Sequence, residues 1–382
     1  MKRGGDRTEM EILDDAYECA SNNIDSHFVE DPEIQNRLHD VVNSQVGAGL
    51  RALLAACLAK IHEPSIDITR PYTGIGDNSY SGREYDQRFI SEFRNKYDLP
   101  FIATTGFLTP ALRTKNIPLV PGIRLHGKDE QMYSSFVLLL NDIAQERVSP
   151  EDVLCEVTRQ LLLVKRSRGE RLDALLNELQ RSGDEALLSV EDIVNLVRQH
   201  LSLPKSSRLP VLVVAAAYEV VCDCLGEKIL PRHAHTAADR QTGALGDLEI
   251  TLLSDDGTES IVTTYEMKMR RVTRQDIDLA LEKVAMSGIR LDNYLFITTD
   301  TIDPDVAEYA RSKYQETGGT EFAVLDCIAF IRHFLHLFHR LRIEFLNTYQ
   351  RLILEEPESA LRHSLKQAFL ALRSAAESSY AD

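Results

Sequence analysis

From Ile34 to Ile61 the segment IQNRLHDVVNSQVGAGLRALLAACLAKI places apolar side chains at helical spacing, with alanine-rich stretches that allow close helix approach. Residues 1 to about 62 are therefore expected to be helical, as a scaffold or a dimer surface. From Glu63 to Pro121 the periodicity lapses into Pro, Gly, Asn, Ser, Tyr and Thr, in PYTGIGDNSYSGREYDQRFISEF and LPFIATTGFLTPALRTKNIPLVPG, which predicts polar, aromatic loops. Helix returns at Asp129 with DEQMYSSFVLLLNDIAQ. Ser149 and Pro150 supply N-cap and first-turn chemistry for the next helix, and Ser189 with Asp192 resembles a capping box opening SVEDIVNLVRQHL.

After LPKSSRLP the pattern becomes mixed. Pro210 to Leu225 reads as a buried helix, GDLEITLL from Gly246 as a strand, SDDGTE as a turn and SIVTTYEMKMR as a second strand. Thr273 is the expected N-cap of a following helix, with Gln275 and Asp276 in its first turn. DNYLFITT, from Asp292 to Thr299, is a further strand. Asp303 and Pro304 open another helix, EFAVLD is a short last strand, and helix is expected from about 328 to 380. The order is helix, hairpin, helix, strand, helix, strand. Five regions follow: a helical 1–65, a polar-loop 66–145, a helical linker 146–205, an α/β 206–330 and helices over 331–382.

Composition narrows the classes. The 382 residues are 43% hydrophobic and 27% charged, ordinary for a folded chain, and the net charge of −16 argues against a general polyanion-binding surface while allowing a local basic groove. No stretch approaches the roughly 18 apolar residues of a membrane span, and the acidic start MKRGGDRTEMEILDD is unlike a signal peptide, so a cytoplasmic protein without a membrane partner is expected. Cys19, Cys57, Cys155, Cys222, Cys224 and Cys327 lack CxxC spacing and read as reduced thiols.

The chemistry converges on the predicted hairpin. Glu266 and Lys268 are two apart on one strand and so share a face, with Met267 pointing away, while Asp247 heads the partner strand. Two carboxylates can hold a hard divalent cation, and an ammonium can orient or deprotonate the attacking water, which is the equipment of a phosphodiester hydrolase. A carboxylate two residues before a lysine is common by chance in so acidic a chain. Its place at the end of a strand, opposite a Gly-Asp and before a helix, sets it apart from a solvated strand edge.

GDLEI and YEMK, with a helix before them and a helix and strand after, resemble the PD-(D/E)XK nuclease superfamily, with Gly246 where the motif's name has Pro. The resemblance covers residues 206 to 326. The wider arrangement, including YTGIGDNSYSGREYDQRFI, TTGFLTPALR and HTAADRQTGALGDLEI, is similar to the SacI restriction endonuclease family. It implies an α/β, restriction-endonuclease-like mixed sheet flanked by helices, with additional mainly helical N-terminal domains. It also implies Asp247 and Glu266 as Mg²⁺ ligands and Lys268 as catalytic lysine. Glu219, in AAAYEVV on the preceding helix, matches an extra acidic ligand or is an exposed helix glutamate. Glu249, on the face of Asp247, would support the site or serve a second metal. The activity implied is site-specific, Mg²⁺-dependent cleavage of double-stranded DNA by a homodimer, beside a gene for a cognate DNA methyltransferase. A structure-specific repair or recombination nuclease and a non-catalytic DNA-binding or scaffold protein are the alternatives.

Several other residues invite a reading. The basic run KMRRVTR offers Arg270, Arg271 and Arg274 to DNA phosphates, or is a solvated helix start. Asn78, Arg83, Asp86, Arg113, Lys115 and Asn116 have side chains that read base edges, or else build turns, with Arg83 pairing Asp86. Lys165, Arg166, Arg168 and Arg171 end a helix, where the dipole alone favours cations. GIRLHGKD misses a P-loop because Asp129 stands where a hydroxyl is needed, His333, His336 and His339 recur at a spacing of three that suits packing better than metal, and Gly74 and Gly76 form only a bare GxG.

Overall fold

Cap chemistry fixes where most helices begin in the computed structural model, which describes residues 7–113, 115–181, 188–225, 227–230, 244–253 and 259–378. Two compact units divide between Arg171 and Leu172.

In the first unit, α1 (Glu9–Asn22) starts from a Thr8–Glu11 capping box and α2 (Pro32–Asn43) from Asp31 followed by proline. Helix α3 (Ala48–His62) buries every residue except Lys60 and His62. It is thus the unit's central core helix rather than a surface for a partner. The polar block is less irregular than its composition predicts. It holds α4 (Gly82–Tyr85), a π-helical turn (Asp86–Ile90) and α5 (Ser91–Tyr97), because Ser81 caps the start and Phe89, Ile90 and Phe93 bury a short apolar stripe. Helix α6 (Glu130–Ala144), capped by Asp129, packs on α2, and α7 (Pro150–Arg181) follows, with Ser149 Oγ accepting from the Asp152 amide at 3.0 Å.

What ties the polar block to α3 is a buried ion pair. Arg51 Nε donates to Asp86 Oδ1 at 2.6 Å, and its terminal nitrogens donate to the Ile102, Ala103 and Asp86 carbonyls and to Ser91 Oγ. Asp86 Oδ2 accepts from the Gly106 amide at 2.6 Å. Gly106 lies so close to α3 that a Cβ there would stand 2.4 Å from the Ala48 carbonyl oxygen. Asp86 is therefore a structural residue, fully buried, and its carboxylate is not offered to a DNA base.

Helix α7 contributes to both units: Val153, Leu154, Val157 and Leu161 belong to the first core, while Leu172, Leu175, Leu176 and Leu179 pack against the second. The stretch 146–205 thus has no core of its own. In the second unit, α8 (Val190–Leu201) begins at the Ser189–Asp192 capping box, and α9 (Leu209–Glu219) is followed by the short α10 (Cys222–Leu225).

A five-stranded mixed sheet follows: β1 (Glu227–Ile229), β2 (Leu248–Leu253) and β3 (Glu259–Lys268), then, after α11 (Arg274–Ser287), β4 (Asn293–Thr298), and after α12 (Pro304–Glu316), β5 (Glu321–Asp326). Strands lie in chain order, β1 to β3 antiparallel and β3 to β5 parallel. β1 is an addition to the predicted hairpin. Residues 231–243, which carry most of HTAADRQTGALGDLEI, and most of the SDDGTE turn lie outside the described residues.

Helices α13 (Cys327–Leu337), α14 (Arg342–Glu355) and α15 (His363–Ser378) complete the unit. They share one core with α8, α9 and the sheet face bearing Leu248, Ile250, Tyr265 and Ile297. The other sheet face, with Tyr294, Phe296, Phe322 and Val324, is covered by Ile277 and Ala280 of α11 and Val306 and Ala310 of α12. Among the described residues no helix is long and apolar enough to cross a membrane, and Cys19, Cys57, Cys155, Cys222 and Cys327 are free thiols.

Removing Arg51 leaves the Asp86 carboxylate buried without its cation. Arg51→Ala is expected to destabilise the first unit by about 3–5 kcal/mol, read as a lower urea midpoint by circular dichroism, whereas Arg83→Ala on the exposed surface shifts it little.

The second unit holds a buried neutral imidazole. His200 Nε2 lies 3.0 Å from the Leu365 carbonyl and so carries the proton, leaving Nδ1, 3.1 Å from the Tyr349 hydroxyl, to accept. Burial pushes the ring's pKa down to about 4, although the Leu365 bond opposes the shift. Between pH 6.5 and about 4 the unfolded chain takes up a proton that the folded chain refuses, so this contribution, up to about 3 kcal/mol, is present above pH 6.5 and is lost as pH falls through that window. The stability gap between the parent and His200→Gln should narrow from pH 7 to pH 4.5. A constant gap would contradict it.

Candidate active site

The register of β2 on β3 builds the site. Leu248 pairs with Tyr265 and Glu249 with Thr264, so Asp247, one step before, comes opposite Glu266. Leu248 and Tyr265 point into the helical core, so the alternating Asp247, Glu249, Glu266 and Lys268 occupy the other face. The Asp247 amide donates to the Tyr265 carbonyl at 2.8 Å, and Asp247 Oδ2 accepts from the Met267 amide at 2.7 Å, which ties the carboxylate across the strands. A Cβ at Gly246 would stand 2.6 Å from both the Tyr265 carbonyl oxygen and Thr264 Cγ2. Proline, which has a Cβ, would meet the same crowding, so the close strand approach accounts for glycine at this position.

Glu266 is held from three directions. Its Oε1 lies 2.5 Å from Lys268 Nζ, and its Oε2 lies 3.7 Å from Lys283 Nζ and accepts from the Tyr294 hydroxyl. The Tyr294 oxygen is also 2.9 Å from the Leu245 carbonyl, and its single proton can serve only one acceptor at a time. Lys268 sits 3.6 Å from Asp276 Oδ1, while Arg270 grips Asp276 with two bonds of 2.7 and 2.8 Å. Burial alone would raise the Asp276 pKa; the bonds from Arg270 and Thr273 and the charge of Lys268 overcome it and hold the carboxyl well below the usual carboxylate range.

The donor set suits a small hard cation. Mg²⁺ takes one or two protein carboxylates and completes its shell with water and phosphate oxygens, and Asp247 and Glu266 provide two such carboxylates at adjacent positions. Among the described residues no group of three or more His, Cys, Asp and Glu is assembled as a cage. A cation at Glu266 would compete with Lys268 for Oε1.

Glu219 does not join the cluster: it pairs with Arg351 at the end of α9, a helix that packs on the opposite sheet face, where neighbouring Tyr218 bonds the Tyr265 hydroxyl at 2.8 Å. The expected third ligand is thus placed elsewhere by the orientation of α9. Glu249 is buried on the site's face, its Oε1 accepting from the Leu245 amide at 2.6 Å, which secures the entry to β2. Arg270, Arg271 and Arg274 are exposed around the start of α11; Arg271 donates to Thr301 Oγ1 at 2.7 Å and Arg274 lies over the Tyr309 ring.

In the first unit Asn78, Arg83, Arg113 and Asn116 are exposed, and Lys115 is half-buried with Nζ 3.4 Å from the Arg124 carbonyl. Arg83 pairs with Gln87, not with Asp86. Lys165 donates to the Tyr97 carbonyl, Arg166 pairs with Glu170, His336 lies 3.4 Å from Glu191, and Asp129 caps α6.

Two members of the cluster, Tyr294 and Lys283, were not among the residues singled out from the sequence. The available signal was a charge on the sheet-facing row of α11, where Asp276, Ala280 and Lys283 recur at helical spacing. No protein-family model matches the chain, and no curated protein is similar enough to count as a match.

Proposed function

We propose that the chain is a Mg²⁺-dependent endonuclease acting on double-stranded DNA, of the PD-(D/E)XK type, and that it serves as the site-specific nuclease of a restriction-modification system. The observation that carries the reading is the arrangement of Asp247 opposite Glu266, with Lys268 beside Glu266 at 2.5 Å. The surrounding order supports it: a helix before the motif strands, then a helix and a strand parallel to β3 after them, as the resemblance implies.

In this reading Asp247 and Glu266 hold Mg²⁺, which supplies Lewis-acid stabilisation of charge developing on the phosphate. Lys268, released from Glu266 Oε1, orients the attacking water and assists loss of its proton. Water oxygen bonds to phosphorus as the bond to the 3′-oxygen breaks; the water's proton passes to solvent and the leaving 3′-oxygen takes a proton from solvent, leaving a 5′-phosphate and a 3′-hydroxyl. Arg270, Arg271 and Arg274 hold neighbouring phosphates. Those contacts are the same at every sequence, so discrimination rests on side chains that reach base edges. Exposed Asn78, Arg83, Arg113 and Asn116, with Lys115, fit that role, and buried Asp86 does not. A two-fold symmetric cut is most simply made by a homodimer, and a cognate DNA methyltransferase would be encoded nearby.

Incubation of supercoiled plasmid with Mg²⁺ is the test. Discrete fragments are expected, abolished by EDTA, with Ca²⁺ supporting binding without turnover. Asp247→Ala and Glu266→Ala should each lower the rate at least about 10³-fold, the loss of several kcal/mol of electrostatic stabilisation, while DNA binding persists. Full activity in EDTA, or an Asp247→Ala protein cutting at the parent rate, contradicts the reading. Smears or branch-specific cuts would indicate a structure-specific nuclease, and binding without cutting a non-catalytic protein.

A further inference from the structure

Lys283 brings an ammonium to the carboxylate cluster from α11 rather than from the strands that carry the motif. Helix α11 turns Asp276, Ala280 and Lys283 toward the sheet, and Asp276 and Lys283 are seven residues, or about 10 Å of rise, apart on that row. Asp276 meets Lys268 at one end, and Lys283 meets Glu266 at the other. The outer side of the same helix, with Leu279 50% and Met286 88% exposed, had room for a solvated lysine. The inward row brings an ammonium to the carboxylate instead.

The contact itself is loose. At 3.7 Å from Glu266 Oε2 the ammonium is an ion-pair partner and not a tight hydrogen-bond donor, a role Tyr294 fills on the same oxygen. The Lys283 side chain is 32% exposed against 14% for Glu266, so the cation is accessible at the rim of the site. A lysine in this position acts on a phosphate as a movable point charge.

We propose that Lys283 is a second catalytic lysine, contacting a non-bridging oxygen of the same phosphate that Asp247, Glu266 and Lys268 address. It takes no proton and forms no bond; it stabilises the extra negative charge of the transition state. The inference rests on the nuclease reading.

The test uses the full chain and a duplex DNA, with Lys283→Met, which keeps the unbranched stem and loses the charged end, and Lys283→Arg, which keeps charge. Binding is measured in Ca²⁺ across a salt series and cleavage in Mg²⁺. Lys283→Met should reduce the slope of log affinity against log salt by about 0.9, one phosphate contact, and lower kcat about 10²-fold. Lys283→Arg should restore the slope and most of the rate. If the methionine variant melts early, Lys283→Gln takes its place. A neutral variant with parental slope and parental rate overturns the proposal. So does an unchanged slope with equal rate losses in the neutral and Arg variants, which would make Lys283 only a prop for Glu266. Glu266→Ala serves as the control: if it cuts normally, the nuclease reading itself has failed, whereas an inactive Glu266→Ala beside a fully active neutral variant removes Lys283 alone.

Discussion

Strand β3 has to satisfy two different surroundings at once. Tyr265 and Met267 face an apolar helical core, and the residues between and after them, Glu266 and Lys268, face the other side of the sheet, which α11 covers. Charges at that depth persist only if they are paired. The half-buried face therefore gathers Tyr294 from β4, Asp276 and Lys283 from α11, and Asp247 from the head of β2. The cluster's composition follows from this demand for compensation. On the proposed reading, the same compact set of carboxylates and ammoniums would need little reorganisation to receive a cation and a phosphate.

The first unit shows the same constraint put to a structural end. Arg51 in the first turn of α3 would be intolerable without Asp86, Ser91 and the 102–103 carbonyls, and Asp86 would be intolerable without Arg51 and the Gly106 amide. This network folds a block of polar composition onto an apolar helix and leaves Asn78, Arg83, Arg113 and Asn116 outside. In both units a buried charge organises its neighbours. Only in the second is the cluster partly open to solvent.

The features legible in the sequence were the local ones. Thr273 and Ser189 announced helix starts because capping is settled within three residues, and the pleat placed Glu266 and Lys268 together because alternation is a property of the strand itself. β1 went unseen since Glu227–Ile229 is too short to show alternation. Asp86 looked like a loop residue because the arginine that buries it lies 35 positions earlier. Glu219 depended on which way α9 faces, and Tyr294 and Lys283 on how β4 and α11 return to β3, none of which a local pattern encodes.

The proposed chemistry requires that Asp247 and Glu266 together bind a divalent cation. Calorimetric titration of the DNA-free protein with Mn²⁺ measures this without relying on turnover. Saturable binding is expected for the parent, at least about tenfold weaker in the near-isosteric Asp247→Asn and Glu266→Gln variants, and undiminished in Lys268→Met, whose ammonium otherwise competes for Glu266 Oε1. Parental Mn²⁺ affinity in both carboxamide variants would contradict it.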